Sequence, residues 1–354
     1  MHSVRRSVRR PNILPARPWA AAKRAALALV RYSTPWLAQL VVTRRCNLAC
    51  GYCNEYDHSS DPVPTEELLR RIDHLAELGT VVVTLTGGEP LLHPELDRLV
   101  ARVVSHGMVC TSITNAYPIT PRWIARLNEA RLTLLQVSVD NVEPNDVSQK
   151  SWSKIRRRLD LLRQHAEFPV NVNAVLGSCT PSQTRMLAQE VHELGFYMTV
   201  GLMHDGRGQV DPGLLGEELP QLYKELQALC HKSIFHWLGE GWETRMLREG
   251  SVQWRCRAGG RYLYVDEHGV VSYCSQRRND PGIQLRSYGR EDLERGFHMI
   301  KGCEDSCTLA CVRRASSLDE WRGQRGVDLV PQGSLVSPTQ AAPGVRVQLP
   351  VLGG

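Results

Sequence analysis

Between residues 37 and 203 two hydrophobic patterns alternate along the chain. In the first, apolar and β-branched residues fill nearly every position of a short run, as buried strands require. LAQLVVT (37–43), TVVVTLT (80–86), MVCTSIT (108–114), LTLLQVSV (132–139), VNVNAVL (170–176) and FYMTVGLM (196–203) are such runs. In the second, apolar residues recur three and four apart, the spacing of one helix face. TEELLRRIDHLAEL (65–78), PELDRLVARVVSHG (94–107), PRWIARLNEA (121–130), KIRRRLDLLRQHA (154–166) and PSQTRMLAQEVHELG (181–195) follow it. Thr65 is placed to cap the first helix, and Gly107 to stop the second. Strand–helix–strand repeats of this length form right-handed crossovers and a parallel sheet. Six strands fit a partial or full barrel better than an open sheet. The expected class is α/β: a partial (β/α)6 TIM-type barrel with a small C-terminal cysteine-rich domain.

The alternation sets the boundaries. Residues 1–35 form a basic arm with a helix, and 36–205 the barrel. Residues 206–249 read as a Gly-rich linker and a helical stretch, and 250–325 as a domain of short strands and cysteines. Residues 326–354, rich in Gly, Pro and Ser, read as a flexible tail. The 354 residues suffice for this arrangement. Charge is uneven: residues 1–54 carry ten Lys/Arg and no Asp/Glu, against a whole-chain charge of +6, so the remainder carries −4. No apolar run is long enough to span a membrane. Pro15, Arg17, Pro18, Lys23 and Arg24 interrupt any signal-peptide core. Export is therefore not expected, and a cytoplasmic location is. Eleven cysteines then point to metal or redox chemistry rather than a disulfide frame.

Three of them stand in CNLACGYC, as Cys46, Cys50 and Cys53, directly after the first strand. The rim at the C-terminal ends of barrel strands is where active sites form. A cubane iron–sulfur cluster takes four soft ligands, so three thiolates leave one iron open. A zinc site completed by His58 or His93 is the rival reading. CNLACGYC resembles the signature of the radical S-adenosylmethionine (SAM) enzymes, with Tyr52 in its aromatic place. TGGEP (86–90), ITNA (113–116) and VSVD (137–140) also resemble that family's strand-end motifs, in order, over residues 36–205. The resemblance implies a 4Fe–4S cluster on Cys46, Cys50 and Cys53 that binds and reductively cleaves SAM. The resulting 5′-deoxyadenosyl radical takes hydrogen from a substrate, while the protein orients the cofactor and excludes water. It further implies SAM contacts from Gly87, Gly88, Glu89, Asn115, Ser138 and Asp140. The two glycines would admit the methionine part, and Glu89 would accept from its ammonium. Where the family often has an arginine for the SAM carboxylate, SQKSWSK offers Lys150 or Lys154. His93, His204 and Asp205 are expected to be solvated loop residues.

Cys256, Cys274, Cys303, Cys307 and Cys311 form a second group. Cys256, Gly269 and Cys274 resemble the opening of the auxiliary-cluster domains called SPASM or, when shortened, twitch. YLYVDEHGVVSYC (262–274) predicts a hairpin turning at Glu267–Gly269. Five cysteines imply a second, auxiliary 4Fe–4S cluster with one spare among Cys303, Cys307 and Cys311. CEDSCTLAC would set those three on one helix face, and an all-cysteine zinc site is the alternative. Cys110, Cys179 and Cys230 read as inert thiols.

The arm helix suits weak contact with an anionic membrane, and so a peripheral location, or packing against the barrel through Ala22, Leu27 and Val30. Nucleic acid is not expected as a partner. The leading function is a radical SAM oxidoreductase or maturase. It would be fed by an electron donor such as flavodoxin or ferredoxin and act on a peptide, a small molecule or a lipid. The alternative is a non-catalytic iron–sulfur or zinc scaffold or sensor.

Overall fold

The computed structural model describes residues 14–229 and 241–322. Cys230, the first thirteen residues and the expected tail lie outside the described residues. Helix α1 (Pro18–Val30) leads into strand β1 (Leu37–Thr43). Then follow α2 (Thr65–Glu77), β2 (Val82–Gly87), α3 (Leu96–Ser105), β3 (Val109–Thr114), α4 (Pro121–Glu129) and β4 (Leu134–Ser138). The series ends with α5 (Trp152–His165), β5 (Val170–Leu176), α6 (Pro181–Glu193) and β6 (Tyr197–Leu202). Each strand pairs in parallel with the next in sequence. Leu68, Ile72 and Leu75 of α2 and Leu99, Val100 and Val103 of α3 are fully buried. Each such side chain contributes about 1.5–3 kcal/mol by leaving water. Along β3, Cys110, Ser112 and Thr114 are buried while Thr111 and Ile113 are half-exposed, and β6 repeats the alternation. The six strands therefore turn one face to the helices and the other to an accessible lumen. None of them contains a charged residue.

The sheet does not stop at β1. After α7 (Glu218–Leu229) and α8 (Trp242–Glu249), β7 (Tyr262–Val265) pairs in parallel with β1, and β8 (Val270–Ser272) and β9 (Pro281–Gln284) continue it antiparallel. The result is one nine-stranded sheet in the order β6-β5-β4-β3-β2-β1-β7-β8-β9. The cysteine-rich segment thus extends the barrel sheet. Its hairpin turns where expected, with Asp266 Oδ1 accepting from His268 N and Val270 N. Helices α9 (Arg290–His298) and α10 (Ala310–Ser317) complete it.

Three local expectations need correction. Thr65 is the first residue of α2, not its cap; its hydroxyl donates to Glu95. CEDSCTLAC is not one helix face: Glu304–Ser306 is a single 3-10 turn, Cys307 is extended and α10 begins only at Ala310. In α1 the residues facing inward are Ala21 and Ala28, whereas Ala22, Leu27 and Val30 are exposed. Arg24 pins α1 by donating to the carbonyls of His106, Ala76 and Thr80. Those carbonyls close the helices that precede β2 and β3, so α1 lies at the end of the barrel where strands begin, opposite the rim.

Candidate active site at the strand C-terminal ends

The loop after β1 is closed at its base by Cys46 N donating to Asp57 O (2.9 Å) and Asp57 N donating to Arg44 O (2.9 Å). Gly88 N and Glu89 N, at the end of β2, donate to Thr43 O and Arg45 O at the start of that loop. A Cβ on Gly87 would stand 2.0 Å from Thr43 O, and one on Gly88 2.3 Å from Arg44 O. The glycines are needed first for this crossing of two backbones, a nearer reason than room for a ligand.

Leu48 N donates to Cys46 Sγ (3.4 Å), and Gln149 N donates to Cys50 Sγ (3.4 Å). Burial pushes the Cys46 thiol up to about 11 and raises Cys53 as well; Cys46 is raised further by Cys53, and Cys53 by Cys50, while Lys150 lowers both. The three sulfurs thus share one recess beside a cation. Bound metal would deprotonate them outright. His58 Nδ1 lies 3.0 Å from Cys46 O, but His93 is buried elsewhere, holding Val63 O and Glu95 N, and is not the solvated loop residue expected. His204 is half-buried on the rim, with Nδ1 accepting from Gly206 N.

Glu89 is fully buried. Its Oε1 accepts from Leu91 N (3.0 Å) and Thr114 Oγ1 (2.7 Å), and its Oε2 from Asn115 N (2.7 Å). Burial nevertheless raises it from 4.5 to about 7, the three donors and Lys150 opposing. Because the folded value lies above the ordinary one, Glu89 contributes stability that is full below about pH 4.5 and is lost as pH rises through about 7. Cluster-free wild-type protein is therefore expected to lose more melting temperature across that window than Glu89→Gln does. Parallel melting curves would remove Glu89 as the titrating group. Asn115 Nδ2 donates to Asn47 Oδ1 (2.8 Å) and lies 3.8 Å from Cys46 Sγ.

At the end of β4, Ser138 and Asp140 are buried. Asp140 Oδ2 accepts from Tyr52 Oη (2.8 Å) and Ser148 Oγ (2.7 Å), while its buried Oδ1 has no hydrogen-bond partner. Lys150 Nζ donates to Tyr52 Oη (2.6 Å) and lies 3.9 Å from Asp140. Lys154 is exposed on α5, so only Lys150 reaches the recess.

The second cysteine group gathers on the added strands. Cys256, Cys274 and Cys307 are buried and Cys303 is half-buried. Burial pushes Cys256 up to about 11 and Cys274 to about 12; Cys256 is further raised by Cys303, and Cys274 by Cys256 and Cys303. Cys307 is raised by burial and then by Cys256, Cys274 and Cys303. Cys311 instead is hydrogen-bonded to Tyr262, whose hydroxyl donates to Gln39 Oε1 (2.6 Å) in the barrel. Lys301 stands over Tyr273, lowered by burial to about 8.

Two contacts bolt the groups together. Asn54 Nδ2, one residue past Cys53, donates to Gln276 Oε1, two past Cys274 (3.3 Å), and Tyr264 Oη donates to Glu55 Oε1 (2.5 Å). Ser148, Glu55, Tyr264 and Gln276 were not legible as site residues. Only their closeness in sequence to Lys150, Cys53 and Cys274 could have drawn attention to them. Among the described residues no three His, Cys, Asp or Glu side chains are gathered tightly enough for a single metal ion. A cubane spans thiolates set wider apart than one ion does.

Residues 40–181 match the model of the Radical SAM superfamily. The AdoMet-dependent heme synthase of Methanosarcina barkeri is 25% identical over 276 residues, 75% of this chain and 72% of that protein. The PqqA peptide cyclase of Bradyrhizobium diazoefficiens is 30% identical over 152 residues, 41% of this chain and 40% of that protein. Streptococcus suis SuiB shares the fold, with a TM-score of 0.56 at 15% identity over 78% of this chain and 70% of SuiB. Residues 40–181 thus form a radical SAM domain, and the chain is an enzyme whose cofactors are a 4Fe–4S cluster and SAM. The site fits them: three thiols share a recess, a cation stands beside them, and a buried carboxylate oxygen lacks a partner. When bound, they supply a carbon radical that abstracts hydrogen. Among the described residues no helix is long and apolar enough to cross a membrane.

Proposed function

We propose that the enzyme carries out a radical oxidation of a peptide side chain or small molecule whose reacting part is uncharged. Cys46, Cys50 and Cys53 would hold the SAM cluster, and Cys256, Cys274, Cys303 and Cys307 an auxiliary one, with Cys311 spare. The observation that carries this reading is the bolting of the second cysteine group to the first through Asn54–Gln276 and Glu55–Tyr264. It would set an electron acceptor beside the substrate. Gly87, Gly88, Glu89, Asn115, Ser138 and Asp140 would shape the SAM-binding rim. Glu89 would act there by fixing the ends of β2 and β3 as much as by meeting an ammonium.

The lumen supports an uncharged reacting group. Its half-exposed residues include Gln39, Thr111, Gln136, Asn173 and Thr199, which can donate and accept hydrogen bonds but offer no ion pair. The heme synthase and the peptide cyclase bracket the two substrate classes, and SuiB has been crystallised with its precursor peptide. Flavodoxin or ferredoxin would deliver the electron. A lipid-borne substrate is less favoured, because α1, with Trp19 and Val30 exposed, would hold a membrane at the end opposite the rim.

After anaerobic reconstitution, Cys256→Ala/Cys274→Ala is expected to keep about four irons and SAM cleavage, where wild type holds about eight. Cys311→Ala should keep all of them, and Cys307→Ala only the SAM cluster. Wild type with four irons and stoichiometric zinc would instead make the second group a zinc knot and remove the electron acceptor.

A further inference from the structure

We propose that Lys150 and Asp140 are a pair of opposed positioning residues that set the reduction potential of the cluster on Cys46, Cys50 and Cys53 before SAM arrives. This rests on the cluster assignment above and goes beyond it: both residues would act on the iron–sulfur centre, not only on SAM.

The geometry carries it. Lys150 does not extend from the rim as a free cation waiting for a carboxylate. Its Nζ donates to Tyr52 Oη (2.6 Å) and stands 4.9 Å from the centre of the Tyr52 ring. Tyr52 sits between Cys50 and Cys53, and its hydroxyl donates onward to Asp140 Oδ2 (2.8 Å). The ammonium is therefore tied to the cysteine loop itself. A fixed positive charge there favours the more negative, reduced cluster, whose potential follows local charge and hydrogen bonds to sulfur.

Asp140 works in the opposite sense through one proton. Ser148 Oγ lies 2.7 Å from Asp140 Oδ2 and 3.6 Å from Cys50 Sγ. A hydroxyl has a single proton to give, and the carboxylate is the stronger acceptor. Lys150 N also donates to Ser148 Oγ (3.2 Å), fixing that hydroxyl with its proton toward Asp140 and none toward the sulfur. Among the described residues Gln149 N is left to donate to Cys50 Sγ (3.4 Å). Removing the Asp140 charge would take away a neighbouring anion and free the Ser148 proton for Cys50. Both changes stabilise the reduced cluster.

The test is an EPR-monitored redox titration of reconstituted, SAM-free protein, with the auxiliary cluster as internal reference. Lys150→Met is expected to lower the potential of the SAM cluster by about tenfold in the reduced-to-oxidised ratio, or about 59 mV for one electron. Lys150→Arg should restore most of it, and Asp140→Asn should move it upward. If the two residues serve SAM alone, both variants weaken SAM binding and neither moves the SAM-free potential, which overturns the inference. Should Lys150→Met fail to load iron, Tyr52→Phe, which frees the ammonium from the loop, replaces it. A downward shift then supports the inference, and an unchanged potential overturns it. Failure of the cluster assignment would look different: wild type itself would show no cluster lost with Cys46, Cys50 and Cys53.

Discussion

Replacing Cys46, Cys50 and Cys53 together by alanine is expected to abolish formation of 5′-deoxyadenosine and to lower iron from about eight to about four per chain. The size of the effect follows from the geometry. The three thiols share one recess, and backbone meets each of them: Leu48 N at Cys46, Gln149 N at Cys50, and the backbone of Glu55 at Cys53. Without them no side chain there offers a soft ligand, because the neighbours are Asn47, Asn115, Ser148 and Lys150. The second group would be untouched, since it rests on β7, β8 and the segment before α10. Cys179→Ala is the control: its thiol lies 3.4 Å from Thr184 Oγ1 beside α6, and its loss should change neither iron nor cleavage. Retained cleavage in the triple variant would refute the assignment of the SAM cluster to these residues.

What the chain disclosed in advance depended on how local the physics is. The six strands stand within two residues of the positions given by apolar runs, because strand burial is written in consecutive residues. The rim motifs were legible for the same reason: each follows its strand directly. What was hidden is what distant segments do to one another. Nothing in YLYV (262–265) announces that it will lie parallel to LAQL (37–40) and turn a separate domain into an extension of the barrel sheet. The same distance hid a second reason for Gly87 and Gly88, where a Cβ would meet Thr43 O at the end of β1 and Arg44 O just past it. SQKSWSK offers Lys150 and Lys154 alike in the place of an arginine. That the Lys150 ammonium would be held by Tyr52, 98 positions away, is a fact of the fold. The even i, i+4, i+8 spacing of Cys303, Cys307 and Cys311 suggested a helix that Cys307 interrupts.

Asp319→Ala is expected to cost about 3–5 kcal/mol of stability, the penalty for leaving one half of a buried ion pair. Arg261 is 1% exposed and Asp319 2%. Arg261 Nε donates to Asp319 Oδ2 (2.6 Å) and Nη2 to Oδ1 (2.9 Å), a two-pronged contact. Its Nη1 donates to Ala28 O (2.7 Å), Thr34 O (3.0 Å) and Arg31 O (3.1 Å). One guanidinium thus ties the end of α1 and the start of β7 to Asp319, two residues past α10. Removing the carboxylate strands a buried cation; Arg261→Met/Asp319→Leu should recover part of the loss, since no charge is then left unpaired. Recovery should stop short of wild type, because the three carbonyls lose their donor. The same tie decides what the basic arm is. Deleting residues 1–31 removes Ala28 O and Arg31 O from Arg261 and all of Arg24's ties, so it should lower the melting temperature clearly. A deletion that melts like wild type would mean that α1 is only tethered. Salt-sensitive binding of anionic vesicles that is lost in that variant would then make the helix a membrane arm.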